Sequence, residues 1–312
     1  MLAFGVIYIV WGSTYLAIKF AIQTIPPFWL AGARFLLGGS ILYALMRLRG
    51  TPPPAHRHWL SAAWVGALLL VCGNASLVWA EQFVSSGLAA TLMAMIPLWM
   101  VSLDALRKGG PKLTVRVAAG LAIGLTGVGV LVGPARLWGS ARVDILGTAV
   151  LMFSAFCWAL GSLGSRAATL PPSPFLAAAM EMLTGGAMLI VLGLLVESGQ
   201  LHWRSISVRS VLGLFYLVAF GSLLGFTAYI WLLRVVATSR VATYGYVNPV
   251  VALCIGWAFG RESISARELL ATVIIVGAVV LILSHRPRPL AMVPDTDGLP
   301  TFDEERAMGI GE

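Results

Sequence analysis

Residues 11–39 read WGSTYLAIKFAIQTIPPFWLAGARFLLGG, and residues 158–186 read WALGSLGSRAATLPPSPFLAAAMEMLTGG. One offset, 147 positions from Trp11 to Trp158, lays Lys19 on Arg166 and Pro27-Phe28 on Pro174-Phe175. It also lays Arg34 on Glu181 and Gly38-Gly39 on Gly185-Gly186. Further along, an offset of 152 from Trp79 to Trp231 lays Gln82 on Arg234, Ala90-Thr91 on Ala242-Thr243 and Pro97 on Pro249. A small insertion reconciles the two offsets. Apolar segments share a small alphabet, but coincident Trp, Pro and Gly-Gly at constant spacing argue against chance, so the chain reads as a duplication.

Composition says what was duplicated. Of 312 residues, 59% are apolar and only 11% charged, with mean hydropathy +0.89, whereas soluble domains carry about 25% charged residues. So little charge cannot cover a globular surface, and lipid is the expected solvent. A membrane helix needs about 20 mostly apolar residues. Such runs lie near 2–22, 28–47, 60–82, 86–106, 113–133, 144–165, 175–196, 208–233, 239–259 and 267–284. Pro26-Pro27, Pro52-Pro53-Pro54, Gly109-Gly110-Pro111 and Pro171-Pro172 punctuate them. Each half then has five spans, and an odd number inverts the second copy. The expected fold is an all-α polytopic membrane protein with ten transmembrane helices in two inverted five-helix repeats. The repeats cover 2–133 and 144–284; the Pro-, Asp- and Glu-rich stretch 285–312 is expected to be a disordered cytoplasmic tail.

The first span lacks the charged leader of a signal peptide and is as long as its successors. The chain starts almost inside it, which hints at a trimmed start. Lys and Arg crowd the connections around Arg47, Arg49, Arg57, Arg107, Lys108 and Lys112, which sets both termini in the cytoplasm. The net charge of +8 is dispersed over short clusters, a pattern suited to anionic headgroups rather than nucleic acid. Cys72, Cys157 and Cys254 lie in apolar runs without metal-ligand spacing and read as core residues.

Inverted repeats are a mark of secondary transporters, with the solute site near the midplane between the halves. Ionisable groups at membrane depth are costly and usually face a cavity or a partner. Lys19, Arg34 and Glu81 fall in the outer halves of spans 1 to 3, and Arg166, Glu181 and Arg234 near the inner side of spans 6 to 8. Inversion separates Arg34 and Glu181 by about 10 Å in depth. Glu81 is therefore the expected partner of Arg34, and the two clusters are expected to act as separate gating or coupling networks. The plainer alternative is that Lys19 and Arg166 snorkel to headgroups.

Trp11, Tyr15, Trp79, Trp99, Trp158, Tyr229 and Tyr244, with Thr14, Asn74 and Asn248, are the substrate-cavity candidates. Aromatic walls with a few amides and hydroxyls suit amphipathic solutes, although packing is the commoner role of any one aromatic. Pro97 and Pro249 fall inside spans 4 and 9 and are expected to kink them, freeing the carbonyls of Met93 and Gly245. The glycine pairs read as packing notches.

An intramembrane enzyme is disfavoured. His56, His58, His202 and His285 lie in loops or near span ends, no two carboxylates share a helix face, and GLAIGLTGVG (120–129) sits in a membrane run without a preceding strand. No catalytic residue, metal or cofactor is expected. The expected partners are a small-molecule solute, the lipid bilayer and, if transport is ion-coupled, protons through Glu81 or Glu181. The oligomeric state is open.

The opening stretch, AEQFVSSGLAATLMAMIPLW (80–99) and ATYGYVNPVVAL (242–253) resemble the drug/metabolite transporter superfamily. They are most similar to its EamA-type ten-helix exporters and, within those, to the YedA-type subgroup. The resemblance covers about residues 3–284 and implies two EamA repeats, a bacterial inner-membrane location and cytoplasmic termini. It further implies export of small metabolites, among them amino acids and related compounds, or drugs. A passive channel or facilitator for small polar solutes is the competing expectation, because its lining would look the same.

Overall fold

The computed structural model describes residues 2–106, 114–132, 142–236 and 238–283. Every regular element there is helical. The helices join into ten rods among the described residues. Spans 1 to 4 are Leu2–Ala21, Pro27–Leu48, His56–Ala80 and Ser86–Leu106, and span 5 is Val115–Val132. Span 6 is Arg142–Ala167. Spans 7 and 8 are Pro174–Val196 and Val208–Val235, span 9 covers 238–260 and span 10 is Ala266–Leu283. The all-α polytopic expectation is met, whereas the junction near 133–141 and the tail from 285 onward lie outside the described residues.

Local chemistry sets several starts. Pro27 and Pro174 occupy the first turns of spans 2 and 7, where a missing N–H costs nothing. Ser85, Ser173 and Ser207 accept from Leu88 N, Leu176 N and Ser210 N at the heads of spans 4, 7 and 8, each satisfying an otherwise orphaned donor.

The helix–helix contacts obey the repeat. Span 1 packs on span 9 and span 6 on span 4; span 2 packs on span 8 and span 7 on span 3. Likewise span 1 meets span 8 and span 3 meets span 6, while 2–7, 4–9 and 5–10 pair a span with its own counterpart. The two halves are therefore interleaved. At the 2–7 crossing the glycine pairs bring backbones together: a Cβ on Gly39 would lie 3.0 Å from Leu183 N, and one on Gly186 2.8 Å from Leu36 N. Lipid provides little hydrophobic drive between helices, so such close packing is what holds them. Outward, large apolar side chains such as Ile9, Leu195, Phe215 and Trp257 are exposed, as a lipid-facing surface requires.

Among the described residues three π-helical stretches interrupt the α-helical rods: Val6–Val10, Ala67–Ala75 and Leu217–Phe226. The second and third lie at nearly equivalent repeat positions in spans 3 and 8. Such stretches change side-chain direction and are frequent at functional sites. Span 4 is broken by a turn at 94–95, so Pro97 falls in the first turn of its second half rather than kinking a continuous helix. That corrects the expectation for Pro97, since a first-turn proline forfeits no helical hydrogen bond. Span 9 has its turn at 242–243, and Pro249 lies inside the following helix. The two broken spans touch where a Cβ on Gly245 would come within 2.7 Å of Pro97 Cγ.

Candidate functional site

A central cavity lies where the interruptions converge. From the first repeat Trp11, Thr14, Tyr15, Arg34 and Asn74 line it; from the second, Trp158, Gly221, Tyr244 and Asn248 do so. Asn74 and Gly221 both stand in π-helical stretches. The space open to water centres is about 40 Å³, room for roughly three waters at about 10–15 Å³ each. That is well below the roughly 300–1,000 Å³ of a pocket holding a drug-sized ligand.

Aromatic rings form one wall. Trp11 meets Trp158 edge-on at 5.5 Å between centroids, Tyr229 at 4.9 Å and Tyr244 edge-on at 5.5 Å. Trp158 and Tyr229 close the group at 5.6 Å. These separations fall in the range where aromatic pairs attract beyond area burial. The polar ends are held too: Trp11 Nε1 donates to Gly221 O at 3.3 Å, and Trp158 Nε1 donates to Tyr229 Oη at 3.1 Å. Tyr229 Oη also bonds Ser162 Oγ at 2.5 Å. Tyr229 thus stands behind the lining and fixes Trp158. With its amide turned to donate, Asn248 reaches Tyr8 O at 2.9 Å and Ile7 O at 3.1 Å, satisfying carbonyls of the first π-helical stretch. Besides Tyr229, two expected cavity residues lie off the lining. Trp79 packs on Phe83 at 4.8 Å and Trp99 on Phe156 at 5.6 Å, and neither lines the cavity. Their helical positions turn them toward neighbouring rings instead.

The charges divide between the two ends of the bundle. Arg34 is 4% exposed. Its Nε donates to Ser222 Oγ at 2.9 Å and its guanidinium lies 4.8 Å from the Phe35 ring, while Nη1 is buried without a partner. Glu81 is fully buried with both carboxylate oxygens unpartnered, and Lys19, Glu262 and Arg34 are its charged neighbours. Arg34 and Glu81 therefore interact through space without a direct hydrogen bond. Lys19 does not snorkel outward: its Nζ donates to Glu81 O and Val84 O, both at 2.8 Å. Near the other end, Glu181 is buried with Ser165 Oγ 3.5 Å away and Arg234 as its charged neighbour. Arg234 Nη1 donates to Pro171 O and Pro172 O at 2.8 and 2.9 Å. Arg166 is exposed at the end of span 6.

Two carboxylates just beyond span ends were not singled out from sequence. Glu197, past span 7, accepts from Phe28 N and Trp29 N at 3.0 and 3.2 Å, capping span 2. Burial pushes its carboxyl above the usual range, more than the two amide donors pull it down. Glu262, past span 9, accepts from Ser86 N at 3.0 Å and Ser86 Oγ at 2.6 Å, capping span 4. On the same face Thr24 Oγ1 donates to Ser210 Oγ at 2.8 Å and accepts from Ser207 N at 3.0 Å. The face opposite the N-terminus is thus tied by three links from one repeat to the other. No group of three His, Cys, Asp or Glu side chains among the described residues could hold a metal.

A ten-rod bundle with a polar–aromatic cavity between interleaved halves defines a multi-pass membrane protein of the transporter class. The model of the EamA-like transporter family matches residues 1–133 and again 145–284, and the chain belongs to that family. It is 38% identical over 277 residues to the uncharacterized inner membrane transporter YedA of Escherichia coli K12, covering 88% of each chain. It is 26% identical over 299 residues to a probable amino-acid metabolite efflux pump of Salmonella typhimurium, covering 92% of this chain and 96% of that one. A solved crystal structure at 20% identity matches with TM-score 0.66 over 91% of this chain and 98% of the other, a likeness of fold. Family and relatives point to a transporter rather than an enzyme.

Proposed function

We propose that this protein is a secondary transporter that exports small amphipathic metabolites across the bacterial inner membrane by alternating access. The observation that carries the reading is the central cavity: both repeats build it, aromatic rings wall it, and capping links join the repeats across one face. A cavity of a few waters suits a contracted state that widens when one face opens. The YedA relative is described as an inner membrane protein, and the Lys and Arg distribution favours cytoplasmic termini, which makes the tied face periplasmic. Reporter fusions at the C-terminus test that orientation.

Transport itself is tested by screening metabolites for thermal stabilisation of the purified protein, then measuring counterflow of the hits in proteoliposomes. Saturable counterflow is expected. Unitary currents without exchange would instead make the protein a passive channel. If export is proton-coupled, Glu81 and Glu181 are the carriers, since both are buried carboxylates inside the bundle with oxygens lacking partners. Glu81→Gln or Glu181→Gln then abolishes pH-driven uptake while sparing counterflow; unchanged pH-driven uptake in both variants would rule proton coupling out.

A further inference from the structure

We infer that the cavity is a carboxylate subsite, with Arg34 anchoring the anionic end of the solute and the Trp11–Trp158 pair taking its apolar part. This rests on the transport reading only in treating the cavity as the place where a solute binds.

Among the described residues that line the cavity, Arg34 is the one charged side chain. Its fork is half used: Nε is bound to Ser222 Oγ and Nη2 packs beside Gly221, where a Cβ would lie 2.7 Å away. Nη1 has no partner although it is buried, and an unmet buried donor on a charged group is expensive. Glu81 does not meet it, because the carboxylate oxygens of Glu81 are themselves unpartnered. A further lining residue carries an unmet polar atom, Asn74 Oδ1, while Tyr244 Oη lies beside the polar ends of Tyr229 and Trp158. A carboxylate satisfies Arg34, since planar carboxylate and guanidinium match in geometry. Asn74 is left for a donor such as an amine or amide N–H on the same solute. The rings beside these groups are neutral and tightly packed, a surface for an aliphatic or aromatic tail.

A matched set of probes tests this on the intact protein in nanodiscs, read by thermal shift and tryptophan fluorescence. Hydrocinnamate and L-phenylalanine carry the carboxylate; phenethylamine and L-phenylalaninamide keep the ring and amine without it. The two acids are expected to bind at least about tenfold more tightly than the two amines, the size of one charge-assisted contact. Arg34→Gln should erase that preference, and Arg34→Lys, which keeps the charge but loses the fork, should retain part of it. Equal or tighter binding of the amines, binding of none of the four, or an acid preference unchanged in Arg34→Gln would overturn the proposal. The wild-type comparison needs no variant to fold. Counterflow of other solutes in protein indifferent to the acids would remove the subsite and leave transport standing. Acid-selective binding without counterflow of any bound acid would support the subsite and remove the transport reading.

Discussion

Trp158 is the residue at which packing and the proposed solute site meet. It presents its ring to the cavity, meets Trp11 edge-on and is fixed from behind by Tyr229. Trp158→Ala removes three ring contacts, with Trp11, Phe226 and Tyr229, and leaves Tyr229 Oη with one partner fewer. The expected cost is about 3–5 kcal/mol, read as a lower thermal midpoint together with loss of counterflow. Trp158→Phe should recover most of the stability and part of the transport. A Trp158→Ala protein that transports at the wild-type rate would show that the ring wall is packing only. At this scale the sequence was informative about which residues mattered and silent about their partners. Trp11 and Trp158 stood out because a tryptophan repeated at mid-span is not an interfacial anchor. Ser222 could not be tied to Arg34, because the π-helical stretch that carries it turns side chains off the ordinary helical period.

Among elements, spans 2 and 7 depend on backbone contact that tolerates no added atom. A Cβ on Gly186 meets the backbone N of Leu36, whereas one on Gly277 meets nothing within 4 Å. Gly186→Val is therefore expected to destabilise the bundle by about 1–3 kcal/mol or more through overpacking, and Gly277→Val to leave the thermal midpoint nearly unchanged. Equal midpoints for the two variants would contradict the notch. The repeated Gly-Gly was legible because its spacing survived duplication. The cap of span 2 was not, since Glu197 lies in a connecting segment whose partner is far away in sequence. Glu197→Ala strips the acceptor from Phe28 N and Trp29 N, a loss of about 1 kcal/mol. It should raise labelling of cysteines placed on the cavity wall from the tied face. The charge adds a pH dependence of definite sign. The raised carboxyl of the closed link binds a proton more readily than an opened, solvated one would. Closure by Glu197 therefore weakens as pH rises through the interval between the usual carboxylate range and the raised value. The same labelling, followed against pH, should increase over that interval in the wild type and flatten in Glu197→Gln.

For the whole molecule, inverted duplication places the cavity. Contacts 1–9 and 6–4, 2–8 and 7–3, or 1–8 and 3–6 are each other's images, the symmetry that the proposed alternating access needs for the halves to exchange roles. Links between the halves occur on both sides: Glu197 on span 2, Glu262 on span 4, and Thr24 with Ser207 and Ser210 on one face, and Tyr8 Oη with Thr243 Oγ1 at 2.6 Å toward the other. The carboxylate caps are what distinguish the first face. The duplication was readable because Trp, Pro and Gly-Gly resist drift in an apolar alphabet. The asymmetry was not, because it resides in connections that the repeat does not preserve. The most direct measurement is a reversible lock across the tied face. Cysteines replacing Thr24 and Ser207, whose hydroxyl oxygens lie 3.5 Å apart, are introduced after Cys72, Cys157 and Cys254 are removed. Counterflow in proteoliposomes is then recorded oxidised and reduced. Transport that stops on oxidation and returns on reduction is the expected result; undiminished transport through the cross-linked protein would contradict a cavity that must open on this face.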